Sequence, residues 1–415
     1  MKTWVEISEH RLKANYSALA EAAGHDTAVL AVIKANAYGH GAALCAPILA
    51  RSGAEWLGVT DATEGATIRE ALTKAAIPPN HHPSIMVMSG PLPEEAPSII
   101  RNGLTPVVWN QQQLEAIAAA VHQHGGHITP YPVHLEIDTG MARQGIAPGE
   151  SLDTLLHWLA RQPALRLEGV LTHFASSEAA DSSQTAIQRK RFEEAVAAVA
   201  ATGFEPSWVH VGSSSTLDNQ SSGEDENLAW LRALAATIGA RPMVRPGIAL
   251  YGYCLPIETN AANETIETNN EAQIPQQALQ PKLKPVMTWK TRILSLRDIQ
   301  PGETVGYNAT FTARHSMRLA LLPIGYADGL RRELSASNTN PGGWVIIHNH
   351  RAPIVGRISM NLTIVDVSEI PAITSGDEAT ILGDGITADD HARLAHTISY
   401  EILCGIHPPA RLIQS

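Results

Sequence analysis

Eight short apolar segments, spaced regularly through the first 250 residues, restrict the fold of this 415-residue chain more than any other feature. They cover residues 28–33, 56–59, 85–88, 106–109, 133–137, 169–172, 208–211 and 242–244. The first begins at residue 28 and the last at residue 242, so the spacing averages about 30 residues, the length of a strand–helix–strand unit.

The stretches between these segments have helical periodicity. In residues 184–201, for example, Ile187, Phe192, Val196 and Val199 form one apolar stripe under a polar face. Eight strands that alternate with helices favour an N-terminal (β/α)8 TIM-type barrel over a doubly wound sheet. We therefore predict an α/β fold that begins with such a barrel.

Residues 256–283 interrupt this pattern. They are rich in Asn, Gln, Glu, Thr and Pro and contain hardly any large apolar residues, which is typical of a polar insertion or linker. Beyond them, short strand-like segments are separated by turn sequences such as Gln-Pro-Gly-Glu, which predicts an all-β domain. The expected domains are residues 1–255, 256–283 and 284–415, and the first few residues are free to pair with the β-domain.

The composition excludes several classes of protein. A net charge of −11 without a long basic run argues against a nucleic-acid surface. The cysteines Cys45, Cys254 and Cys404 are far apart, so we expect neither a disulfide framework nor a metal site, which fits a reducing cytoplasm. The N-terminal segment lacks the apolar stretch of a signal peptide, and no apolar run is long enough to span a membrane. We expect a cytoplasmic protein without nucleic-acid or membrane partners.

Basic residues occur where the predicted barrel strands end. Lys34 follows the first strand, Arg143 the fifth, His173 the sixth and Arg245 the eighth, and His210 lies in the seventh. Barrel enzymes place their chemistry at these carboxyl ends, so the five residues are expected to converge. A lone lysine at a strand end is usually solvated. Within a basic site at the rim of a core, partial desolvation lowers the pKa of a lysine, which suits a nucleophile for carbonyl chemistry.

The segment AVIKANAYGHG, residues 31–41, closely resembles the cofactor-lysine motif of alanine racemases. DTGMARQG, GYNATF, LPIGYADG and GRISMNLTIVDV continue the resemblance, which runs from Thr3 to about Cys404 except for residues 256–283. It implies the same barrel, pyridoxal 5'-phosphate (PLP) as cofactor, and a homodimer with shared active sites. The implied activity is the interconversion of L-alanine and D-alanine by a two-base mechanism, which supplies D-alanine for peptidoglycan.

The resemblance also implies roles for individual residues. Lys34 would hold the cofactor covalently and act as the base on one face of Cα, and Tyr307, contributed across the dimer interface, would act on the other face. The cofactor-binding residues would be Lys34, Tyr38, His173, Ser214, Arg245, Gly247 and Ile248. Arg143 and Met360 would bind the substrate carboxylate, and Glu136, His210, Tyr326 and Asn361 would support the site or line its entrance.

Some positions depart from the family pattern. Glu136 stands where some members carry a carbamylated lysine that holds the arginine, so we expect no carbamylation here. Arg143 could equally form an ordinary ion pair with Asp138 or Glu136. Ser213 replaces a frequent asparagine, and Asn361 replaces a frequent aspartate. In the divergent tail, the phosphate-binding tyrosine of some members is interpreted as replaced near Pro408.

Arg245 indicates the type of reaction. Arginine can only donate to the pyridine nitrogen of PLP, whereas PLP enzymes that need a strong electron sink place a carboxylate there. The weaker sink favours rapid return of the proton to Cα, as racemisation requires. Tyrosine, with an unperturbed pKa of ~10, is a poor base. We therefore expect cationic neighbours to stabilise its phenolate, with His173 the nearest and Arg245 and His210 behind it.

Three alternatives remain open from the sequence. A racemase that also accepts serine is the nearest, because the breadth of the pocket cannot be read from these motifs. A decarboxylase of the same barrel type would lack this context of Arg245 and Tyr307. A non-catalytic PLP-binding homeostasis protein would consist of a single barrel, and the C-terminal domain that carries Tyr307 argues against it.

Overall fold

The computed structural model describes residues 2–124, 130–179, 183–220, 226–255, 276–277 and 279–413. The chain divides into two compact units. The first comprises Leu12–Ala35 and Cys45–Leu283, and the second comprises Met1–Arg11, Asn36–Leu44 and Lys284–Ser415. Most of the polar linker predicted at residues 256–283 lies outside the described residues.

A closed barrel of eight parallel strands forms the centre of the first unit. With the N-terminal strand β1 (Thr3–Ser8) counted first, the barrel strands are β2 (Ala28–Val32), β3 (Trp56–Val59), β4 (Ser84–Val87), β5 (Thr105–Val108), β6 (Tyr131–Glu136), β7 (Leu165–Leu171), β8 (Trp208–His210) and, after the short β9 (Asn219–Gln220), β10 (Arg241–Val244). Strand β10 closes the barrel by pairing with both β2 and β8. The eight predicted segments are these strands, so the barrel prediction is confirmed.

Helices alternate with the barrel strands. The described helices are α1 (Glu9–Ala23), α2 (Lys34–Tyr38), α3 (Ala42–Arg51), α4 (Ala62–Lys74), α5 (Ala96–Arg101), α6 (Gln111–His124), α7 (Glu150–Leu159), α8 (Ser183–Ala201), α9 (Ser214–Asp218), α10 (Glu226–Thr237), α11 (Ala388–Ala395) and α12 (Ser399–Cys404). None of these helices is both long and apolar enough to cross a membrane.

The apolar stripe predicted on α8 is wrong at one position. Ile187 is 48% exposed, whereas Gln188 is fully buried and lies on the same face as Phe192 and Val199. A helical face repeats every three or four residues, and Gln188, unlike Ile187, stands at that spacing from Phe192. The buried amide is tolerated because its hydrogen bonds are satisfied: Nε2 donates to Thr139 Oγ1 (3.0 Å) and His173 O (2.9 Å).

The second unit is built on antiparallel sheets, apart from one parallel pair. After the short β11 (Gln276–Gln277), its strands are β12 (Met287–Arg292), β13 (Ser295–Ile299), β14 (Thr304–Val305), β15 (Phe311–Thr312), β16 (Met317–Leu322), β17 (Trp344–Ile347), β18 (His350–Pro353), β19 (Thr363–Asp366), β20 (Glu378–Leu382) and β21 (Ala410–Ile413). The largest sheet has the order β18-β17-β20-β12-β1-β21, so the N-terminal strand belongs to this unit. Strands β13, β16 and β19 form a second sheet.

Two helices near the C-terminus add to the all-β domain that the sequence predicts. Helix α11 begins with a capping box in which Thr387 Oγ1 accepts from the Asp390 N–H and the Asp390 carboxylate accepts from the Thr387 N–H. Helix α12 follows after His396, whose φ of 53° ends α11 in the left-handed region.

Candidate active site

Lys34 leaves the carboxyl edge of the barrel from a backbone that is held on both sides. Strand β2 is buried along its whole length. The N–H of Val32 donates to Pro246 O (3.0 Å), and the N–H of Ile33 donates to Gly58 O (2.8 Å). The backbone that leads to Lys34 is therefore held by β3 on one side and by the segment after β10 on the other, at the edge where barrel enzymes place their chemistry.

The turn that follows Lys34 has an unusual backbone. Ala35, Asn36, Ala37 and Tyr38 all have φ between 51° and 56°, so α2 winds in the left-handed sense. Each non-glycine residue in this region costs roughly 1–2 kcal/mol. Such strain persists only where the surroundings determine it, and it is concentrated at functional sites.

His40 fastens this strained turn. Its buried Nδ1 lies 3.0 Å from both Ala37 O and Tyr38 O, so Nδ1–H donates to carbonyls of the turn itself. Burial lowers the pKa of His40 to about 4, against the raising effect of the two hydrogen bonds. The ring is therefore neutral at physiological pH, and its hydrogen bonds stabilise the turn.

Tyr38 lies against the C-terminal helix α12. Its ring centroid is 5.7 Å from that of Tyr400, with an interplanar angle of 51°. Burial raises the pKa of Tyr38, and Tyr400 and Cys404 add to the effect, so its hydroxyl stays protonated and can donate. The sequence alone indicates no role for Tyr400, although YEILCG contains it.

A buried guanidinium organises the barrel side of the site. Arg245 is only 4% exposed. Its NH1 donates to His210 Nδ1 (3.1 Å), and its NH2 donates to Thr172 O (2.6 Å) and His173 Nδ1 (3.3 Å). Burial lowers the pKa of Arg245 to about 10, with Glu136 opposing and Arg143 adding to the decrease. Arg245 therefore remains a cation at neutral pH.

The hydrogen bonds continue from Arg245 through two histidines. His210 Nε2 lies 2.9 Å from His134 Nδ1, and His134 Nε2 lies 3.3 Å from Glu168 Oε2. Because arginine can only donate, Nδ1 of each histidine accepts and Nε2 carries the proton. Burial holds the pKa of both His210 and His134 below its usual value. Sequence patterns do not single out His134 and Glu168, because both residues lie within strands and not at strand ends.

Gly169 makes room for this chain of histidines. A Cβ atom at Gly169 would lie 2.3 Å from His134 Nδ1, the atom that accepts from His210. No side chain larger than hydrogen fits there without displacing the imidazole. The absence of a side chain at Gly169 in β7 is thus needed for the hydrogen bond between His134 of β6 and His210 of β8.

His173 is neutral in this arrangement, in contrast to the cationic neighbour that the sequence analysis proposed. Burial lowers its pKa to about 3, and the charges of Arg245, Arg143 and Lys34 act in the same direction. Since Nδ1 accepts from Arg245, the proton lies on Nε2, which can donate. The fixed positive charge is that of Arg245, and His173 acts as a neutral hydrogen-bond donor.

The loop that carries Arg143 is tightly folded. Oδ1 of Asp138 accepts from the N–H groups of Gly140 (3.0 Å), Met141 (3.0 Å) and Ala142 (3.1 Å). Arg143 is exposed, and no ion pair joins it to Asp138 or Glu136 within the described parts of the chain. The ordinary ion pair left open by the sequence is therefore not formed.

Glu136 is held by a different residue. The Gln144 side-chain amide donates to Glu136 Oε2 and to Met88 O (3.0 Å). Burial raises the pKa of Glu136, while the bond from Gln144 and the charges of Arg245 and Arg143 work against the increase.

Ser214 joins two loops at the ends of β8 and β10. Its buried Oγ accepts from the N–H of Gly247 (3.1 Å) and of Ala249 (3.1 Å). With both lone pairs occupied, the hydroxyl proton can still be donated. Ile248 is the first residue of a 3-10 helix, Ile248–Tyr251, so its N–H has no partner within that helix. These donors suit an anion, as the phosphate sites of barrels do.

The remaining candidate residues belong to the second unit and lie at its surface. Tyr307 is 66% exposed, and Tyr326 and Met360 are also exposed. The Tyr326 N–H donates to Ser359 O (3.1 Å), and the Ala327 N–H donates to Met360 O (2.9 Å), so these two segments are adjacent. Asn361 is exposed beside Met360.

Known proteins resemble the chain over its whole length. Residues 7–255 match the family described as Alanine racemase, N-terminal domain, and residues 286–413 match Alanine racemase, C-terminal domain. Alanine racemase of Syntrophobacter fumaroxidans is 34% identical over 408 residues, which are 97% of this chain and 95% of that protein.

Solved structures show the same likeness. Alanine racemase from Streptomyces coelicolor A3(2) has a TM-score of 0.81 at 29% identity, and the match covers 100% of this chain and 98% of that one. The alanine racemase of Bartonella henselae, described as having covalently bound pyridoxal phosphate, has a TM-score of 0.77 at 26% identity, with 100% of both chains covered. By sequence and by structure, this chain belongs to the alanine racemase family.

Proposed function

We propose that this protein is a PLP-dependent racemase that interconverts L-alanine and D-alanine. Membership of the alanine racemase family supports the activity and the cofactor. The observation that carries the proposal is the buried Arg245, a fixed cation held between His210 and His173.

The residues present fit PLP by their chemistry. Lys34 supplies an amine at the barrel rim, and the Ser214 hydroxyl with the amide of Ile248 supplies donors for a phosphate, to which Tyr38 adds its hydroxyl. The Gly247 N–H already donates to Ser214 Oγ, so Gly247 would shape this site without donating to the phosphate. Arg245 Nε has no acceptor among the described residues, so its N–H can donate to the pyridine nitrogen. When bound, PLP withdraws electrons from Cα and acidifies the proton there.

Arg245 limits which reactions can follow the loss of the Cα proton. A guanidinium with a pKa of about 10 is charged at neutral pH and cannot accept a proton from the ring nitrogen. With Arg245 as its partner, the ring nitrogen of bound PLP would stay largely unprotonated, so electron withdrawal from Cα would be weaker and return of the proton to Cα would be rapid. Racemisation is favoured over transamination and elimination.

Two bases serve the two faces of Cα. Lys34 exchanges the proton on one face, and Tyr307 of the partner subunit exchanges it on the other. The exposure of Tyr307 supports this assignment, because a residue that completes another subunit's site must lie at the surface of its own. His173, with its proton on Nε2, is a neutral donor suited to a phenolate, and the positive charge of Arg245 stands behind it.

The substrate carboxylate is bound by the guanidinium of Arg143, whose two parallel N–H groups match a carboxylate. The backbone amide of Met360 supplies a further contact from the partner subunit, and Tyr326 and Asn361 line the entrance. The protein acts as a cytoplasmic homodimer with two shared sites, and its D-alanine serves the synthesis of peptidoglycan.

Two measurements test this function. Borohydride reduction of the purified holoenzyme, followed by peptide mapping, should place a pyridoxyl group on Lys34. Chiral chromatography of incubated L-alanine should show D-alanine accumulating to equal amounts, with L-serine as a parallel substrate to measure specificity. A label on another lysine would refute the cofactor site, and the absence of D-alanine would refute the activity.

A further inference from the structure

We propose that Gln144 is a positioning residue for the substrate carboxylate, because its side-chain amide fixes both the Glu136 carboxylate and the loop that presents Arg143. This inference rests on the proposed function, in which Arg143 binds that carboxylate. It concerns a residue whose side chain has no direct bond to Arg143, so its effect must pass through Glu136 and the loop.

The contacts of Gln144 join two barrel strands. Its Nε2 donates to Met88 O, one residue beyond β4, at 3.0 Å, and to Glu136 Oε2 at the end of β6. One amide group therefore uses both of its N–H bonds on acceptors from separate strands. A side chain with two such bonds is held more firmly than one with a single contact.

The backbone transmits this restraint to Arg143. The loop after β6 is closed at its base by two bonds, from Ile146 N to Glu136 O (2.9 Å) and from Asp138 N to Ile146 O (2.9 Å). Asp138 holds the first half of the loop through three N–H groups. Gln144 holds the second half, next to Arg143 in the chain. The backbone that presents Arg143 is thus held by side-chain hydrogen bonds on each side of it.

The charge of Glu136 is the second reason to expect that Gln144 affects Arg143. Glu136 is buried and faces Arg143 and Asp138 from its own loop and Arg245 from the loop after β10. As a carboxylate it offsets the repulsion between the two guanidinium groups. Gln144 is a neutral donor to this carboxylate and favours its ionised form. Without that bond, burial would keep Glu136 protonated to higher pH, and Arg143 would lose a compensating negative charge.

The test is Gln144→Met, which keeps the length of the side chain but removes the donor. Propionate, which has the carboxylate and methyl group of alanine without the amine, is the probe, and its Kd for the holoenzyme is measured by calorimetry. We expect Kd to rise roughly tenfold at pH 7, as loss of a bond to a charged group predicts. The KM for alanine should rise similarly, while kcat changes less than about threefold.

A pH series separates positioning from a general loss of structure. Between pH 5 and pH 9 the ratio of the variant Kd to the wild-type Kd should fall, because burial raises the pKa of Glu136 and the carboxyl group becomes ionised in both proteins as the pH rises. Gln111→Met is the matched control, since Gln111 Nε2 also donates to a glutamate, Glu115 Oε1 (2.7 Å), but on the surface of α6. It should leave Kd unchanged.

A rise in Kd below twofold, or a ratio that stays constant from pH 5 to pH 9, would overturn the inference. If Gln144→Met does not fold, Gln144→Asn, which keeps the amide but cannot span both acceptors, takes its place with the same expectation. Propionate binding requires no turnover, so a failed inference is distinguishable from a failed function. In the latter case the wild-type holoenzyme itself would not racemise alanine.

Discussion

The two parts of the proposed active site differ in how their residues are held. In the barrel unit, Arg245 is 4% exposed and makes three hydrogen bonds to fixed partners. In the other unit, Tyr307 is 66% exposed and stands in a short 3-10 turn where Asn308 and Ala309 have positive φ. The barrel residues are organised by the fold of a single chain, whereas Tyr307 is exposed and, in the proposed homodimer, would be covered by the partner subunit.

This contrast explains where the electrostatic control lies. Burial lowers the pKa of His173, His210 and Arg245, which leaves both histidines neutral while Arg245 stays charged at neutral pH. The phenol of Tyr307 is exposed, and in the proposed homodimer it would be desolvated only when the partner subunit covers it. In the proposed homodimer, one part of the site would therefore depend on folding and the other on association.

The largest expected effect tests the dependence on association. Tyr307→Phe should lower racemisation by ~10²–10⁴-fold, the usual consequence of losing a general base. Its Tm should stay within about 1 °C of the wild type, since a surface substitution changes stability little. Racemisation is followed by chiral chromatography and Tm by calorimetry.

Mixing inactive Tyr307→Phe protein with inactive Lys34→Ala protein should restore activity, because each heterodimer then contains one complete site. The absence of recovery after proven subunit exchange would count against Tyr307 acting across the interface. In deuterated water, proton NMR of Tyr307→Phe should show one alanine enantiomer still exchanging its α-hydrogen and the other not. Equal exchange of both enantiomers would mean that one base serves both faces.

The second prediction tests the preorganisation of the barrel. Gly169→Ala places a Cβ atom 2.3 Å from His134 Nδ1, so His134 must move away from His210. We expect activity to fall roughly tenfold, because small displacements of an organised site are costly. Stability should fall by about 1–3 kcal/mol, as overpacking a core does, measured by urea unfolding.

A second substitution, His134→Ala, removes the imidazole that the new Cβ atom at position 169 would contact. In Gly169→Ala/His134→Ala the space is restored, so the stability effects of the two changes should be strongly non-additive. Additive effects would show that Gly169 does not act through His134, and the continuous chain from Glu168 to Arg245 would then have no role in positioning.

The smallest effect concerns stability in the second unit. Glu6 on β1 accepts from Trp4 Nε1 (2.9 Å), pairs with Lys290 Nζ on β12 (3.0 Å) and bonds to Arg411 on β21. Burial alone would raise its pKa, but these bonds outweigh it and lower the pKa from the ordinary 4.5 to about 2. A depressed pKa stabilises the fold above pH 4.5, and the stabilisation disappears as the pH falls toward 2.

Glu6→Gln should therefore lower Tm by a few degrees at pH 7, and the difference from the wild type should shrink as the pH falls from 5 to 3. The exposed Glu369→Gln serves as the control and should show no such trend. A difference that remains constant over this range would indicate that the charge of Glu6 contributes nothing to stability.

Much of the barrel could be predicted because its signals are local. The strands are short apolar runs at a regular spacing, and chain periodicity alone places Lys34, Arg143, His173 and Arg245 at their ends. Helix α8 shows the limit of this reasoning. Ile187 looked like a core residue and Gln188 like a surface one, yet Gln188 is buried because Thr139 and the His173 carbonyl, distant in sequence, satisfy its amide.

The same limit applies to the site. Motifs and family resemblance supplied the individual residues, but not the bonds among them. Nothing near Gln144 in sequence predicts that it bonds to Met88, 56 residues earlier, or that Gly169 must lack a side chain because of His134. Tyr400 was overlooked because its contact with Tyr38 connects distant parts of the chain.

The sequence by itself determined the eight-stranded barrel, the strand-rich C-terminal part and the chemical types of residue at the strand ends. These features follow from side-chain periodicity and from motifs, both of which are local properties of the sequence. The tertiary structure alone decided that His173 and His210 are neutral, that Arg245 remains charged, and that Glu136 is held by Gln144. Protonation states and buried hydrogen bonds depend on desolvation and on partners brought together from distant segments, and neither can be read from local sequence.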